Sequence, residues 1–316
     1  MYCPYLRGRK FDLEALDDLA FRATNYNGHK ILPIIEPVSV KRDNLKTYRS
    51  LVMKQIPFIL ISNPLAQGMS PIDVEAKLIN GALTGYEGYY IAFCISQLTT
   101  LTQVRHFVDR FQERKICFIH YSLPGESDAI TPYLNSLTTI SYNIFLVEAL
   151  TTRYINSITC PGAKRISLID NFNKQETNAG YSTYTTEYFS DQHKIFKDSG
   201  FDGFGDFSIM GEAFDEKEGG LARAVVIHWT YINPEDGTIW IKHFVSDNIT
   251  GIENIPGKFG EAYAKLAEFK RSDPVHVNSL GCFFLAQYGD KDQFPSLGPL
   301  KKHCIMHHIE LTRTLL

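Results

Sequence analysis

A chain of 316 residues with 44% hydrophobic and 21% charged side chains can bury the core of an α/β barrel in one domain and is too apolar for extensive disorder. Its formal charge of -3 excludes a global electrostatic case for nucleic acid, and no apolar run approaches the roughly 20 residues of a membrane span. Six cysteines, Cys3, Cys94, Cys117, Cys160, Cys282 and Cys304, lie far apart without a CxxC pair, which excludes a zinc ribbon and a disulfide scaffold.

The opening ten residues are polar and basic, with no apolar stretch of signal-peptide length. A cytoplasmic protein with reduced thiols and no membrane partner is expected. From there a short apolar run rich in β-branched or aromatic residues, a polar turn and an amphipathic stretch of helical period repeat along the first half. The predicted strands are Cys3–Arg7, Lys30–Val38, Pro57–Asn63, Tyr89–Ser96, Lys115–Ser122, Tyr142–Glu148, Arg165–Asp170 and, after a longer helical region, Asp202–Met210. Helices are predicted over Leu13–Ala23, Asn44–Lys54, Pro71–Leu83 with Ser70 as cap, Leu101–Gln112 and Asp128–Leu137. Runs such as Ile31-Leu32-Pro33-Ile34-Ile35 read as strands buried on both faces, as in a parallel sheet covered by helices. Eight such units point to a TIM-like (β/α)8 barrel, with 1–316 as one domain. The open doubly wound alternative lacks its Gly-x-Gly-x-x-Gly after the first strand.

The last third breaks this rhythm. Two β-rich segments flank Asn233-Pro234-Glu235-Asp236-Gly237, so Ala222–Ser246 reads as an antiparallel hairpin inserted after the eighth strand. Helices are expected over Phe259–Lys270 and Val277–Tyr288, followed by a terminal segment carrying His303, His307 and His308.

A barrel assembles its site from strand carboxyl ends and the loops after them. Arg7, Glu36, Asn63, His120, Glu148, Asp170 and Asp206 each end or closely follow an apolar strand here. Individually these residues read as helix caps and turn formers. Together they suggest a charge-balanced pocket, with Glu36, Asp170 and Asp206 as its acidic side and Glu148 and Arg7 as ligand-binding groups. Arg7, Arg9 and Lys10 precede a helix N-terminus and would favour a phosphate or carboxylate. On this reading Glu36→Gln would abolish function and leave the melting temperature nearly unchanged.

His228 and His243 fall on opposite arms of the predicted hairpin and can face each other. Such a pair binds a metal or shuttles protons, or is simply packed and hydrogen-bonded. A divalent metal is therefore a candidate cofactor, with no cofactor identified. His303 and His307 have i,i+4 spacing without the Glu of a His-Glu-x-x-His motif. No Gly-x-Ser-x-Gly elbow or Walker A loop is present, and Cys94 and Cys117 read as small core residues.

The opening Tyr5-Leu6-Arg7-Gly8-Arg9-Lys10 and Leu32-Pro33-Ile34-Ile35-Glu36-Pro37 resemble the phage and bacterial beta-protein family and its mobile-element relatives. Ile169-Asp170-Asn171-Phe172 with Asn178 and Tyr181, Gly203-Phe204-Gly205-Asp206, Ala224–His228 and Lys242-His243-Phe244 are similar to later blocks of those relatives. The resemblance implies a mobile-element or phage-conflict setting and carries over no mechanism.

Two function classes follow. The first is a barrel hydrolase or lyase acting on an anionic small molecule or phosphodiester, with Glu36, Asp170, Asp206, His228 and His243 as catalytic groups. The second is a non-catalytic module of a phage-defence or toxin-type system that binds a ligand or a partner protein. A nucleic-acid partner is not expected.

Overall fold

The computed structural model describes residues 1–20, 22, 30–214, 223–289, 291 and 293–316. In chain order its elements are β1 (Tyr5–Leu6), α1 (Lys10–Leu19), β2 (Ile34–Ile35), α2 (Arg42–Met53), β3 (Phe58–Ile61), α3 (Pro71–Asp73), which continues as a π-helix over Val74–Ala82, and β4 (Tyr89–Ile95). Next come α4 (Leu101–Arg110), β5 (Ile116–His120), α5 (Ser127–Ser136), β6 (Ile140–Leu146), α6 (Thr152–Ser157), β7 (Lys164–Ile169), β8 (Thr186–Ser190), α7 (Gln192–Ile195) and β9 (Gly203–Asp206). The hairpin strands β10 (Val226–Ile232) and β11 (Ile239–Val245) lead to α8 (Ile255–Ser272), α9 (Leu280–Gly289) and α10 (Leu297–Thr314).

The chain packs into two compact units, where the sequence reading takes 1–316 as one domain. The first comprises Met1–Leu13, Arg22–Asp170 and Lys194–Phe207, and the second Glu14–Phe21, Asn171–His193 and Ser208–Leu316. Among the described residues no helix is long and apolar enough to cross a membrane.

The first unit is an α/β barrel. Its eight strands pair in the order β1-β2-β3-β4-β5-β6-β7-β9, all parallel. Tyr2 completes the ring through isolated parallel bridges to Ile31 on one side and Phe204 on the other. Across that last seam Cys3 N–H donates to Phe204 O at 2.8 Å and Phe204 N–H to Met1 O at 3.1 Å.

Side chains alternate across a strand, so one set of each strand's residues points into the barrel. That set forms a single core cluster: Cys3 and Tyr5, Leu32 and Ile34, Ile59 and Ile61, Ala92 and Cys94, Cys117 and Ile119, Tyr142, Ile144 and Leu146, Ile166 and Leu168, and Phe207. Cys94 and Cys117 are fully buried within it, as small core residues. β9 contributes Gly203 and Gly205 instead of side chains, and for a steric reason. A Cβ at Gly205 would lie 2.3 Å from Cys3 O, and one at Gly203 2.7 Å from Met1 O. Only glycine lets β9 come close enough to β1 to close the ring.

Helix starts are chemically marked. Ser70 Oγ accepts from Asp73 N–H ahead of Pro71, and Thr100 forms a reciprocal capping box with Gln103. Most element ends shift from the sequence reading, as in β2, which covers Ile34–Ile35 where Lys30–Val38 is expected, and the larger differences are these. The first helix spans Lys10–Leu19, and Ala23, placed on its apolar face, lies outside the described residues. The eighth barrel strand stops at Asp206, since the chain turns into a 3-10 segment at Ser208–Met210, with Ser208 at φ 54. The longer helical region expected before it contains the strand β8.

In the second unit β10 and β11 form an antiparallel hairpin whose turn is closed by Gly237 N–H to Asn233 O at 2.8 Å, with Gly237 at φ 71. Ala222, where the sequence reading starts this hairpin, lies outside the described residues. β8 adds antiparallel to β11 and makes a three-stranded sheet in the order β10-β11-β8. Helices α8 to α10 follow, and α10 carries His303, His307 and His308, all buried.

Candidate functional site

In the barrel, strand parity sends Arg7 and Glu36 inward above Tyr5 and Ile34. Glu36 is fully buried and Arg7 is 5% exposed. One Glu36 oxygen, Oε2, accepts from Arg7 Nη1 and from Tyr5 OH at 2.9 Å. The other, Oε1, accepts from the backbone N–H groups of Leu65 at 2.6 Å and Ala66 at 2.8 Å. The Arg7 guanidinium lies over the rings of Tyr5, at 5.2 Å, and Phe207, at 5.7 Å. Four donors thus converge on one carboxylate, which fastens the loop after β3 to the first two strands. Burial and the Glu36 charge together push the Tyr5 hydroxyl well above its ordinary value, so it stays a protonated donor.

The other candidates at this end of the barrel separate. Glu148 is exposed and accepts the N–H of half-buried Asp170 at 3.1 Å, which makes these two neighbours at the ends of β6 and β7. Lys10 is exposed and pairs with Asp43 at 2.9 Å, a surface ion pair. Asn63 bridges β3 to β4, donating to Cys94 O at 2.9 Å and accepting from Cys94 N–H at 2.7 Å.

Asp206 does not join Glu36. It is one residue out of phase with Gly205 and Phe207, so its side chain lies on the outer face of the sheet, 2% exposed, where Oδ1 accepts from Tyr2 OH at 2.7 Å. His120 has the same outward parity. It stacks on Phe145 with centroids 4.6 Å apart, and its two ring nitrogens reach Tyr154 OH at 2.9 Å and Asn143 Oδ1 at 3.0 Å. Burial depresses it to about 4, so it is a neutral structural residue.

The second unit holds a different arrangement. The β10/β11 register sets His228 directly opposite His243, with their Nδ1 atoms 2.8 Å apart. His243 Nε2 lies 3.1 Å from Glu187 Oε2 on β8, and Glu187 Oε1 accepts from Asn173 Nδ2 at 2.7 Å. Phe172 and Tyr181 set their rings 4.6–6.1 Å from both imidazoles.

These hydrogen bonds assign the tautomers. A carboxylate only accepts, so His243 Nε2 bears the hydrogen and its Nδ1 is bare. His228 Nδ1 must then donate to it, which leaves His228 Nε2 with an unshared lone pair. Burial is the main cause that lowers both histidines, with the His243 and Lys301 charges adding to it at His228 and Glu187 opposing it at His243. Both are neutral near pH 7. No hydrogen bond to His228 Nε2 forms among the described residues, and His228 is only partly buried.

No family model matches the chain, and no curated protein or solved structure matches it. Among the described residues no group of three or more His, Cys, Asp or Glu side chains is arranged to hold a metal ion. A cleft of about 600 Å³ in the second unit is lined by Lys242, His243, Phe244, Lys265, Glu268 and Phe269 among others, and the His243 side chain itself is only 1% exposed.

Of the terminal histidines, His307 is fixed by stacking and by hydrogen bonds at both ring nitrogens. His307 stacks on Trp229 at 3.6 Å, donates from Nε2 to Thr230 O at 2.8 Å and accepts at Nδ1 from Ser279 Oγ at 2.8 Å. Glu187 is absent from the candidates that the sequence suggests. The β-branched and aromatic run Thr185-Thr186-Glu187-Tyr188-Phe189 is the signal that marks its strand.

Proposed function

We propose that the protein is an enzyme of the hydrolase or lyase class that uses His228 as general base on an anionic small molecule or phosphodiester. The observation that carries this reading is the hydrogen-bonded series Glu187–His243–His228, which ends in one bare imidazole nitrogen. A proton taken at His228 Nε2 releases the Nδ1 proton to His243, and the resulting imidazolium faces the Glu187 carboxylate. The rings of Phe172 and Tyr181 shield this transfer from water. The resemblance of the opening blocks to the beta-protein family supports a phage-conflict or mobile-element setting for this activity.

One observation favours the non-catalytic module instead. The Glu36 carboxylate at the barrel mouth is committed to four donors and acts as a strut rather than as an acid or base.

The test is turnover of phosphodiester and carboxylate-ester chromogens by the purified chain and by its His228→Gln and Glu187→Gln variants. A general base contributes about 10²–10⁴-fold. The expected result is a loss of that size in both variants, with unchanged melting. Absence of turnover on both substrate classes, or equal turnover by His228→Gln, would overturn the enzyme reading in favour of the binding module.

A further inference from the structure

Outside the histidine chain, one nucleophile sits in a cluster that no step above uses. Cys282 is the third residue of α9, and its N–H donates to Ser279 Oγ at 2.9 Å, so the sulfur stands in the helix's first turn, where negative charge is favoured. Lys270, near the end of α8, places Nζ 2.8 Å from Cys282 Sγ. That spacing is usual for an oxygen acceptor and close for the larger sulfur. His276 Nε2 lies 3.8 Å from the same sulfur, and His276 Nδ1 is buried with no hydrogen-bond partner among the described residues. Burial and the Lys270 charge lower His276, which is therefore a neutral base beside the pair. Cys282 is 6% exposed, open to a small oxidant and closed to a bulky one.

We propose that Cys282 and Lys270 form a redox-modification site, in which peroxide oxidises the thiol and Lys270 captures it as a sulfur–nitrogen cross-link between α8 and α9. The Cys282 thiolate attacks one oxygen of hydrogen peroxide, forming S–O and breaking O–O. The departing hydroxide takes a proton from the Lys270 ammonium and leaves as water. Sulfur is now a sulfenic acid, and the neutral Lys270 amine already touches it. The amine attacks sulfur and displaces hydroxide, the surplus N–H proton passes through His276, and a second water leaves. Thiolate, ammonium and one peroxide become a sulfenamide and two waters. The sulfur is oxidised by two electrons and the peroxide reduced by two. A thiol attacking the S–N bond, followed by a second thiol, returns Cys282 and Lys270.

The experiment treats the whole protein with hydrogen peroxide and follows its mass and tryptic peptides. The expected product has lost two hydrogens, about 2 Da, is no longer cut after Lys270, carries that peptide joined to the one containing Cys282, and reverts with dithiothreitol. Lys270→Met should stop at the sulfenic acid, about 16 Da heavier and trapped by dimedone once the oxidised chain is unfolded in denaturant, and Lys270→Arg, which keeps the charge, should stop there too. Cys282→Ser should stay unmodified at this site. Oxidation of wild-type Cys282 that ends at sulfenic or sulfinic acid, a bridge that retains oxygen, a disulfide to another cysteine, or an unreacted Cys282 would each overturn the proposal.

Discussion

Glu36 shows how one residue changes role once its partners are known. Its neutral analogue would face two backbone N–H donors and an arginine with an amide that offers hydrogens where only acceptors fit. Glu36→Gln should therefore destabilise the chain by about 3–5 kcal/mol, as breaking a buried charge pair does. Urea titration of the variant checks this, and an unchanged midpoint would restore the expectation of an isosteric, purely functional exchange.

The buried histidines act on stability through pH. His120 and His303 fall to about 4 and His307 to about 3, each chiefly through burial. Their folded values lie below the unfolded value near 6.5, so above about pH 6.5 neither state binds the proton and stability is unaffected. As pH falls below that, the unfolded chain protonates first and stability is lost down to the folded values. For fully buried His120 the loss between about pH 7 and 5 is on the order of 2 kcal/mol. Urea midpoints at the two pH values measure it. His120→Gln, which does not titrate, should show a shallower loss than wild type.

At the scale of elements, α8 is anchored by a lysine inside the structure. Lys258 is 1% exposed and donates to the carbonyls of Arg223 at 2.7 Å, Thr250 at 2.9 Å and Gly251 at 3.0 Å. Lys258→Met keeps most of the volume but strands three acceptors, a loss of about 3 kcal/mol or more. Thermal melting should show it. By contrast Thr100→Ala removes only the cap of α4 and should cost about 1 kcal/mol. The same scale explains the histidine chain: β8 contributes Glu187 only because it pairs with β11 in the register that sets Glu187 beside Ile241.

For the whole molecule, barrel closure hangs on the approach of β9 to β1. Gly205→Ala would set a methyl against Cys3 O, and that atom is backbone, held in the seam by its neighbours. The two strands must part. The expected outcome is a cooperative loss of stability larger than Gly205's small propensity difference from Ala accounts for, seen as a lowered melting temperature. A variant that melts like wild type would show that the ring does not depend on this contact.

The eight barrel strands were legible because the run-turn-helix rhythm is a local property, written in consecutive residues such as Phe58-Ile59-Leu60-Ile61. The hairpin was legible for the same reason, since Asp236-Gly237 dictates its turn and counting outward from it brings His228 opposite His243. Which face each barrel strand turns inward was not legible, because side chains on both faces are apolar and period 2 leaves no mark in such a run. Tertiary structure alone put Glu36 inside and Asp206 outside. It also decided that the four donors of Glu36 come from β1 and from the loop at Leu65 and Ala66, that Glu187 completes the histidine chain from a strand more than fifty residues from its partner, and that Lys270 meets Cys282. A sequence specifies periods and turns within a few residues. Partners distant in the chain are chosen by closure and register, which exist only once the chain has folded.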